Sequence, residues 1–539
     1  MRKTTPFLAG LMLMVSLLAA CNLSNEPTAP DSLTPIAVVI TATLTDTPDA
    51  PVVVAESLAP SATDAASETP TSTASPNDAS TATNAAPPTL TLTPSLTPQA
   101  TVGFRFDNWV RVELPASMLG GTIKPMVIFT NSNDQATITS LSTARPENEN
   151  LIVYAVDPDF SQTRVTLLEL NAATGNRIYP SESGKALAYF RDGGVAPGLY
   201  ILNLADGLAG RVAAVNTLVQ GGIYAPPTWS PDGERLAVTL TTAYDLDIFL
   251  YARDGSKRTP LTSTLSGAYE FYPAWSPDGR YVAFVSDRAT CPSWIPGDAN
   301  ACDPLTTPPP LGGQVYIVDL ETQEVRQISE EYVTEPPYWV NNTLLAFAAG
   351  DGRDLLKPER TLWLANIPGK TARQIALPGD TGSLYLSDVW SADGTKVLFQ
   401  HVTTSSSSVV MMNTDGTVIN QRTEDLLFPR YGLRASWSPL IEHIALGGTS
   451  GECPYGVRVV DPAFDFISTG RPAPTMCNPV FSPDGRFIAY TGVSGVRDTA
   501  NPDGRSDVYV SNYNGFGQNN LTINLRGSMT LIGWLGGKP

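Results

Sequence analysis

The stretch Trp275-Ser276-Pro277-Asp278-Gly279, followed by Arg280-Tyr281-Val282-Ala283-Phe284-Val285, reads as the end of one short strand, a tight turn and a second strand. Proline presets φ for the first turn position, aspartate tolerates the second, and glycine supplies the backbone freedom that closes it. The apolar residues after the turn fill a strand-length run without helical spacing. One such hairpin is marginal alone in water. Here it recurs. Its signature position is held by Tyr179 (degenerate, followed by Ser183-Gly184), then Trp229, Trp275, Trp339, Trp390, Trp437 and Phe481, with a last fragment at Leu531-Ile532-Gly533-Trp534. The spacings run from 44 to 64 residues, the size of one four-stranded unit in a repeat array.

Each unit follows one order. Strand A ends at the aromatic residue, and Ser-Pro-Asp-Gly turns the chain into strand B. A variable loop leads to strand C, as in Gln314-Val315-Tyr316-Ile317-Val318-Asp319-Leu320. The polar turn Glu321-Thr322-Gln323-Glu324 then leads to strand D, Val325-Arg326-Gln327-Ile328. Three units depart from this at the first turn. Trp390 is followed by Ser391-Ala392-Asp393-Gly394 and Trp437 by Ser438-Pro439-Leu440, whereas Val340-Asn341-Asn342 after Trp339 loses the turn chemistry.

Trp229-Ser230-Pro231-Asp232-Gly233, the stretch at 275–279 and Phe481-Ser482-Pro483-Asp484-Gly485 resemble the TolB-type, WD40-like β-propeller repeat. Asp507-Val508-Tyr509-Val510-Ser511-Asn512 resembles its third strand. The resemblance covers roughly residues 150–539 and implies an all-β propeller of four-stranded blades. It says little about function, because one fold hosts many roles. Full units start at 179, 229, 275, 339, 390, 437 and 481. A B–C–D set at 151–178 and a strand A at 531–534 complete one more, so eight blades are expected, with seven the alternative and 104–178 then a cap. A ring closed by distant parts of the chain leaves few free strand edges.

Ahead of the repeats lie two segments of other composition. Residues 1–21 carry Arg2 and Lys3 before an apolar run from Phe7 to Leu18, too short to span a bilayer comfortably. Leu18-Ala19-Ala20-Cys21 resembles the lipobox of bacterial lipoproteins, which implies cleavage before Cys21 and attachment of lipid, such as palmitate, to it. An ordinary secretory peptide with an incidental cysteine is the plain alternative. Residues 22–103 are rich in Thr, Pro, Ser and Ala and contain no aromatic residue, so they are expected to form a disordered tether. The propeller domain is then 104–539, with 104–150 as an irregular opening section.

Charge and histidine content narrow the chemistry. The net charge of −18 argues against nucleic acid as a partner. Residues 22–103 carry −8 of it without a single Lys or Arg, so the repeat region is only mildly acidic for its size. His401 and His443 are the two histidines, too few for a His-rich metal site, and a structural or surface role is expected of each. No G-x-S-x-G nucleophile motif occurs. The loop 498–507 has the oxygen density of a calcium loop without the ligand spacing of an EF-hand, and turn formation explains it equally well. No catalytic, cofactor or metal residues are therefore assigned.

Propeller geometry puts A–B and C–D turns on one face and B–C and D–A loops on the other. The long insertions, Ser286 to Gly313, Ala349 to Arg360, Gly447 to Gly456 and Thr491 to Ser506, all fall between B and C. Insertions gathered on one face form a candidate binding surface, or reflect neutral drift of exposed loops. With Cys21 lipidated, four cysteines remain, and all fall on this face. Disulfides Cys291–Cys302 and Cys453–Cys477 are expected, with zinc as the competing reading although no CxxC is present. Trp294, in the first cysteine loop, could anchor a partner or pack beneath the loop. The expected protein is thus a monomeric, extracytoplasmic propeller anchored to the membrane through Cys21. It is expected to bind an envelope protein or cell-wall glycan without cofactor or catalysis. A propeller enzyme acting on polysaccharide or peptide at the channel mouth, and a glycan-binding module, are the alternatives.

Overall fold

The computed structural model describes residues 106–132, 150–160, 163–171, 177–192, 195–220, 223–263, 266–307, 310–350, 359–380, 384–423, 432–449, 453, 458–468, 475–493, 506–525 and 527–538. Residues 1–21, expected to be a signal segment ending at Cys21, and the expected tether at 22–103 lie outside these residues. The described residues form strands and short 3-10 turns, with no α-helix among them. No helix there is long and apolar enough to cross a membrane.

The quoted hairpin shows why the chain folds as it does. The Gly279 N–H donates to the Ser276 carbonyl at 2.8 Å with Gly279 at φ +72°. The Ser276 hydroxyl donates to the Asp278 carboxylate at 2.6 Å and accepts the Tyr281 N–H at 2.8 Å. The turn therefore satisfies its own polar groups and can be buried, as Ser276 is. The same pair recurs at Ser230–Asp232, Ser391–Asp393 and Ser482–Asp484. In the degenerate unit, Ser181 accepts the Ala186 N–H at 3.0 Å. After Trp339 the turn chemistry is replaced, not lost: the Asn341 side-chain oxygen accepts the N–H groups of Thr343 and Leu344 at 2.9 and 3.0 Å. Strand B then runs through Val282, Ala283, Phe284 and Val285, each fully buried because both faces of the sheet are covered.

Four-stranded antiparallel sheets follow in chain order. They comprise Thr228–Trp229 through Arg258–Pro260, Glu270–Trp275 through Val325–Gln327, Tyr338–Trp339 through Thr371–Ile375, and Leu384–Trp390 through Val418–Thr423. Before them, Ile178–Pro180, Ala186–Arg191, Gly198–Asn203 and Leu208–Ala214 form a sheet that Asp107–Arg111 extends by a fifth strand. After them, strands from Leu433–Trp437 to Asn519–Asn520 are joined into one sheet by a single parallel bridge between Gly448 and Cys477.

The remaining sheet pairs distant parts of the chain: Ser528–Leu535 lies antiparallel to Met126–Ser132, which pairs with Asn150–Val156, which pairs with Arg164–Asn171. This refines the strand assignment made from sequence. Strand B of this sheet comes from the opening section, the Leu151 segment is strand C, and Ile178 already starts the next sheet. Met126–Ser132 escaped notice because its strand A arrives from the far end of the chain, so no Ser-Pro-Asp-Gly turn marks it.

The apolar core lies in layers between successive sheets. Phe190 and Ile201 meet Leu236 and Tyr251; Leu250 meets Phe284 and Val318; Ile317 meets Leu345 and Phe347. The series ends where Val508 and Val510 meet Phe129 and Trp534, and where Ile128 and Val153 meet Leu187 and Tyr200. The last layer thus packs the closing sheet against the 178–214 sheet. Burial of each large apolar side chain contributes about 1.5–3 kcal/mol. The tryptophans stitch neighbouring strands A: the indole N–H groups of Trp229, Trp275, Trp339 and Trp534 donate to the carbonyls of Tyr179, Thr228, Ala274 and Val480 at 2.8–3.2 Å.

Candidate functional site

Strand direction sorts the connections as expected for this architecture. The Ser-Pro-Asp-Gly turns and the short C–D turns share one face; the B–C and D–A loops share the other. On the loop face the described part of the 287–313 insertion is built around Asp287. Its carboxylate accepts the Tyr269 N–H at 2.8 Å and the Trp294 indole N–H at 2.9 Å. Trp294 is 5% exposed and its ring lies 5.4 Å from that of Tyr269. Of the two roles open to it, exposed anchor or packing beneath the loop, its geometry is that of the second. An indole with a carboxylate partner available under the loop gains more from burial than from standing in water.

Cys291 and Cys302 are disulfide-bonded, with Cα atoms 5.9 Å apart. Cys453 and Cys477 are also bonded, at 5.1 Å. Cys477 opens the strand Cys477–Phe481 instead of lying in the loop before it. The insertion is laced to its neighbours through backbone bridges. Gly267 pairs with Ser293, and Gly313 exchanges hydrogen bonds with Val333 at 2.9 and 2.7 Å.

At the root of the insertion sits a buried ionic group. Glu270 is fully buried; one carboxylate oxygen takes the Arg288 guanidinium at 2.8 Å and the Ser266 hydroxyl at 2.6 Å, and the carboxyl is also hydrogen-bonded to Asp247. Burial pushes the Glu270 carboxyl up to about 8, against the pull of Arg288. Asp247 and Asp287 are pushed up to about 6, chiefly by burial. Arg288 lies over the Tyr316 ring at 4.7 Å, so its charge is held inside.

The outer surface of these loops is apolar in an unusual place. Val195, Tyr244, Leu305, Leu311 and Tyr332 are exposed by 102, 52, 92, 52 and 42%. All five stand on B–C or D–A loops of consecutive sheets between 178 and 350. Sequence reading located the loops but not these side chains, because an exposed leucine has no periodic signature.

The histidines are built into the frame. His401 Nε2 lies 3.3 Å from the Asp380 carboxylate, and its ring packs on Tyr385, whose hydroxyl also reaches Asp380. His443 stacks on Tyr513 at 5.7 Å, and burial lowers its pKa. Among the described residues no group of three or more His, Cys, Asp or Glu side chains could hold a metal ion. The 498–507 loop lies outside the described residues except at its end, where Asp507 accepts the Thr522 hydroxyl at 2.6 Å.

A concavity of about 740 Å³ opens on the turn face. It is lined by Trp229, Trp275, Trp339, Trp390 and Trp437, by prolines such as Pro227, Pro273 and Pro337, and by Tyr338, which is 58% exposed. These prolines precede the tryptophans by two positions, on or just before strands with one edge free, where a missing N–H costs no ladder bond. That spacing was the available sequence signal.

Residues 170–303 match the model of the TolB beta propeller domain. A protein described as Protein TolB homolog from Chlorobium luteolum is 34% identical over 146 residues, 27% of this chain and 27% of that protein. An uncharacterized peptidase of Bacillus subtilis, YuxL, is 28% identical over 145 residues, 25% of this chain and 19% of its own length. The matches thus span about a quarter or less of these relatives. Among solved structures, TolB from Acinetobacter baumannii is 16% identical, covers 73% of this chain and 80% of its own, and superposes with a TM-score of 0.34. The chain carries a TolB-type propeller.

Proposed function

We propose that this chain is an extracytoplasmic, non-catalytic propeller of eight blades. It is tethered to a membrane by lipid on Cys21, and it binds an envelope protein or cell-wall component through its loop face. The observation that carries the reading is the set of exposed apolar side chains, Val195, Tyr244, Leu305, Leu311 and Tyr332, on loops of consecutive sheets at one face. Exposed apolar surface of that kind fits macromolecular recognition better than bond chemistry. The disulfide at 291–302 supports it by holding the longest described insertion in one shape, which lowers the ordering cost of binding. Eight blades are supported by eight apolar layers, the last packing the closing sheet against the 178–214 sheet.

The test follows from the burial of the insertion root. Deleting 286–313 outright would remove Trp294 and Cys291 from the core, so the informative change is Leu305→Ser with Leu311→Ser. Crosslinking pull-downs from intact cells should lose their specific partner with the double variant while thermal stability stays the same. A partner retained in full would place recognition elsewhere. Labelling with palmitate that persists in Cys21→Ser would break the anchor assignment.

Carbohydrate binding is a second reading, favoured by the aromatic lining of the turn-face concavity. A panel of cell-wall glycans, read against Tyr338→Ala, separates it from the first.

A further inference from the structure

We propose that the described residues of the loops 242–246, 261–269, 287–313 and 328–337, on the loop face, form a docking surface for a cationic, amphipathic protein segment. The proposal rests on the loop-face reading above and adds the chemistry of the partner.

The surface is continuous. Backbone bridges join Leu246 to Tyr269, Gly267 to Ser293, Gly313 to Val333 and Val333 to Gly350, so neighbouring loops are zipped into one belt. A Cβ placed on Gly312 would lie 3.0 Å from the Tyr332 ring, so the insertion's backbone one residue after Leu311 runs against Tyr332. Tyr244, Leu305, Leu311 and Tyr332 therefore rise from one framed surface, not from independent loops.

Charge decides what fits it. Asp298, Asp303, Glu330 and Glu331 are all exposed around those apolar side chains. Among the described residues of the loops 242–246, 261–269, 287–313 and 328–337, Arg288 is the one cation. It is turned inward onto Glu270, with its side chain 18% exposed. The nearby Arg360 is likewise held by Glu335 and Asp388 at 2.7 and 3.1 Å. Among the described residues of those four loops, the inward pairing of Arg288 leaves only carboxylates facing outward around the apolar side chains. A neutral partner would leave those carboxylates facing apolar surface, and an anionic one, including an acidic lipid headgroup, would be repelled. A segment with Lys or Arg flanking a row of apolar side chains satisfies both parts.

The full chain is titrated calorimetrically with a synthetic amphipathic peptide of Lys and Leu, and with its Glu and Leu counterpart. The cationic peptide should bind and the acidic one should not. Combining Asp298→Asn, Asp303→Asn, Glu330→Gln and Glu331→Gln should weaken binding about tenfold, as expected for four solvent-exposed pairs. It should also remove most of the salt dependence. Leu305→Ser with Leu311→Ser should abolish binding at any salt. Glu321→Gln with Asp415→Asn, on turns of the opposite face, should change nothing. Equal weakening by that last pair would make the attraction a matter of net charge and would overturn the proposal. Equal affinity for both peptides, or cationic binding indifferent to the acidic variants, overturns the charge assignment and leaves the loop-face reading standing. Cationic binding that survives the leucine variant overturns both, and absence of binding by either peptide overturns the proposal.

Discussion

The two faces of this propeller solve opposite problems. The turn face is made of copies: Ser276 and Asp278 repeat at Ser230 and Asp232, Ser391 and Asp393, and Ser482 and Asp484, with nearly the same distances. Each copy satisfies itself locally and can be read from five residues. The loop face has no copies. Its longest described insertion is held by long-range devices: a disulfide, an indole bonded to Asp287, a buried Glu270–Arg288 pair and backbone bridges to neighbouring loops. Repetition builds the frame, and single-use interactions build the surface the frame presents.

The comparison can be broken at graded points. Trp294→Ala removes a buried indole and orphans Asp287, and should cost about 3–5 kcal/mol, the largest effect expected from one residue here. Urea unfolding measures it; a loss below 1 kcal/mol, on the order of a surface change, would mean that the insertion is not rooted in the core. Replacing Cys291 and Cys302 together by Ser should cost about 3 kcal/mol by the loop-entropy relation. Reduction of the wild-type chain should cost more than that, because Cys453–Cys477 is broken as well, and the double variant should lose only this second share on reduction.

The Glu270 prediction concerns pH. A carboxyl whose folded pKa is raised to about 8 binds its proton more tightly in the folded state than in the unfolded one. Stability contributed this way is complete below the ordinary glutamate value and is lost as pH rises through the folded pKa. The steepest slope is about 1.4 kcal/mol per pH unit for one proton. Melting temperature should therefore fall between mildly acidic pH and pH 8, and Glu270→Gln should flatten that fall. A variant with the unchanged slope would shift the cause to Asp247 and Asp287, whose decline belongs at lower pH.

Ser276→Ala should cost about 1–2 kcal/mol, by leaving the Tyr281 N–H without its acceptor. Ser482→Ala should match it, because the turns are independent, and the double variant should be additive. Unequal or non-additive costs would show that the copies are coupled around the ring. The smallest effect is expected at Tyr338→Ala in the concavity, within about 0.5 kcal/mol.

Legibility in the sequence follows the same division. The frame was readable because its turns use residue types with fixed backbone preferences, and because strand-length apolar runs mark buried strands. Strand Met126–Ser132 was missed because its partner is Ser528–Leu535 and no local turn announces it. Cysteine spacing and loop position were enough to expect which sulfurs meet. The burial of Trp294 and of the Glu270 carboxyl was not legible, since each depends on residues brought from other strands. The exposed leucines were invisible for the converse reason: nothing in composition distinguishes an apolar residue that faces water.

The pairing of Val127 with Trp534 also sets a timetable. A contact between residues that far apart in sequence carries about 3 kcal/mol more chain-closure entropy than a neighbouring hairpin. It should therefore form late. Until it forms, the Met126–Ser132 strand waits with an open edge, and the Trp534 indole has not yet reached Val480. Every other sheet can assemble as its residues become available. Ring closure cannot, so the exposed interval of this strand, not the speed of any single hairpin, fixes how long the young chain is vulnerable to pairing with the wrong neighbour.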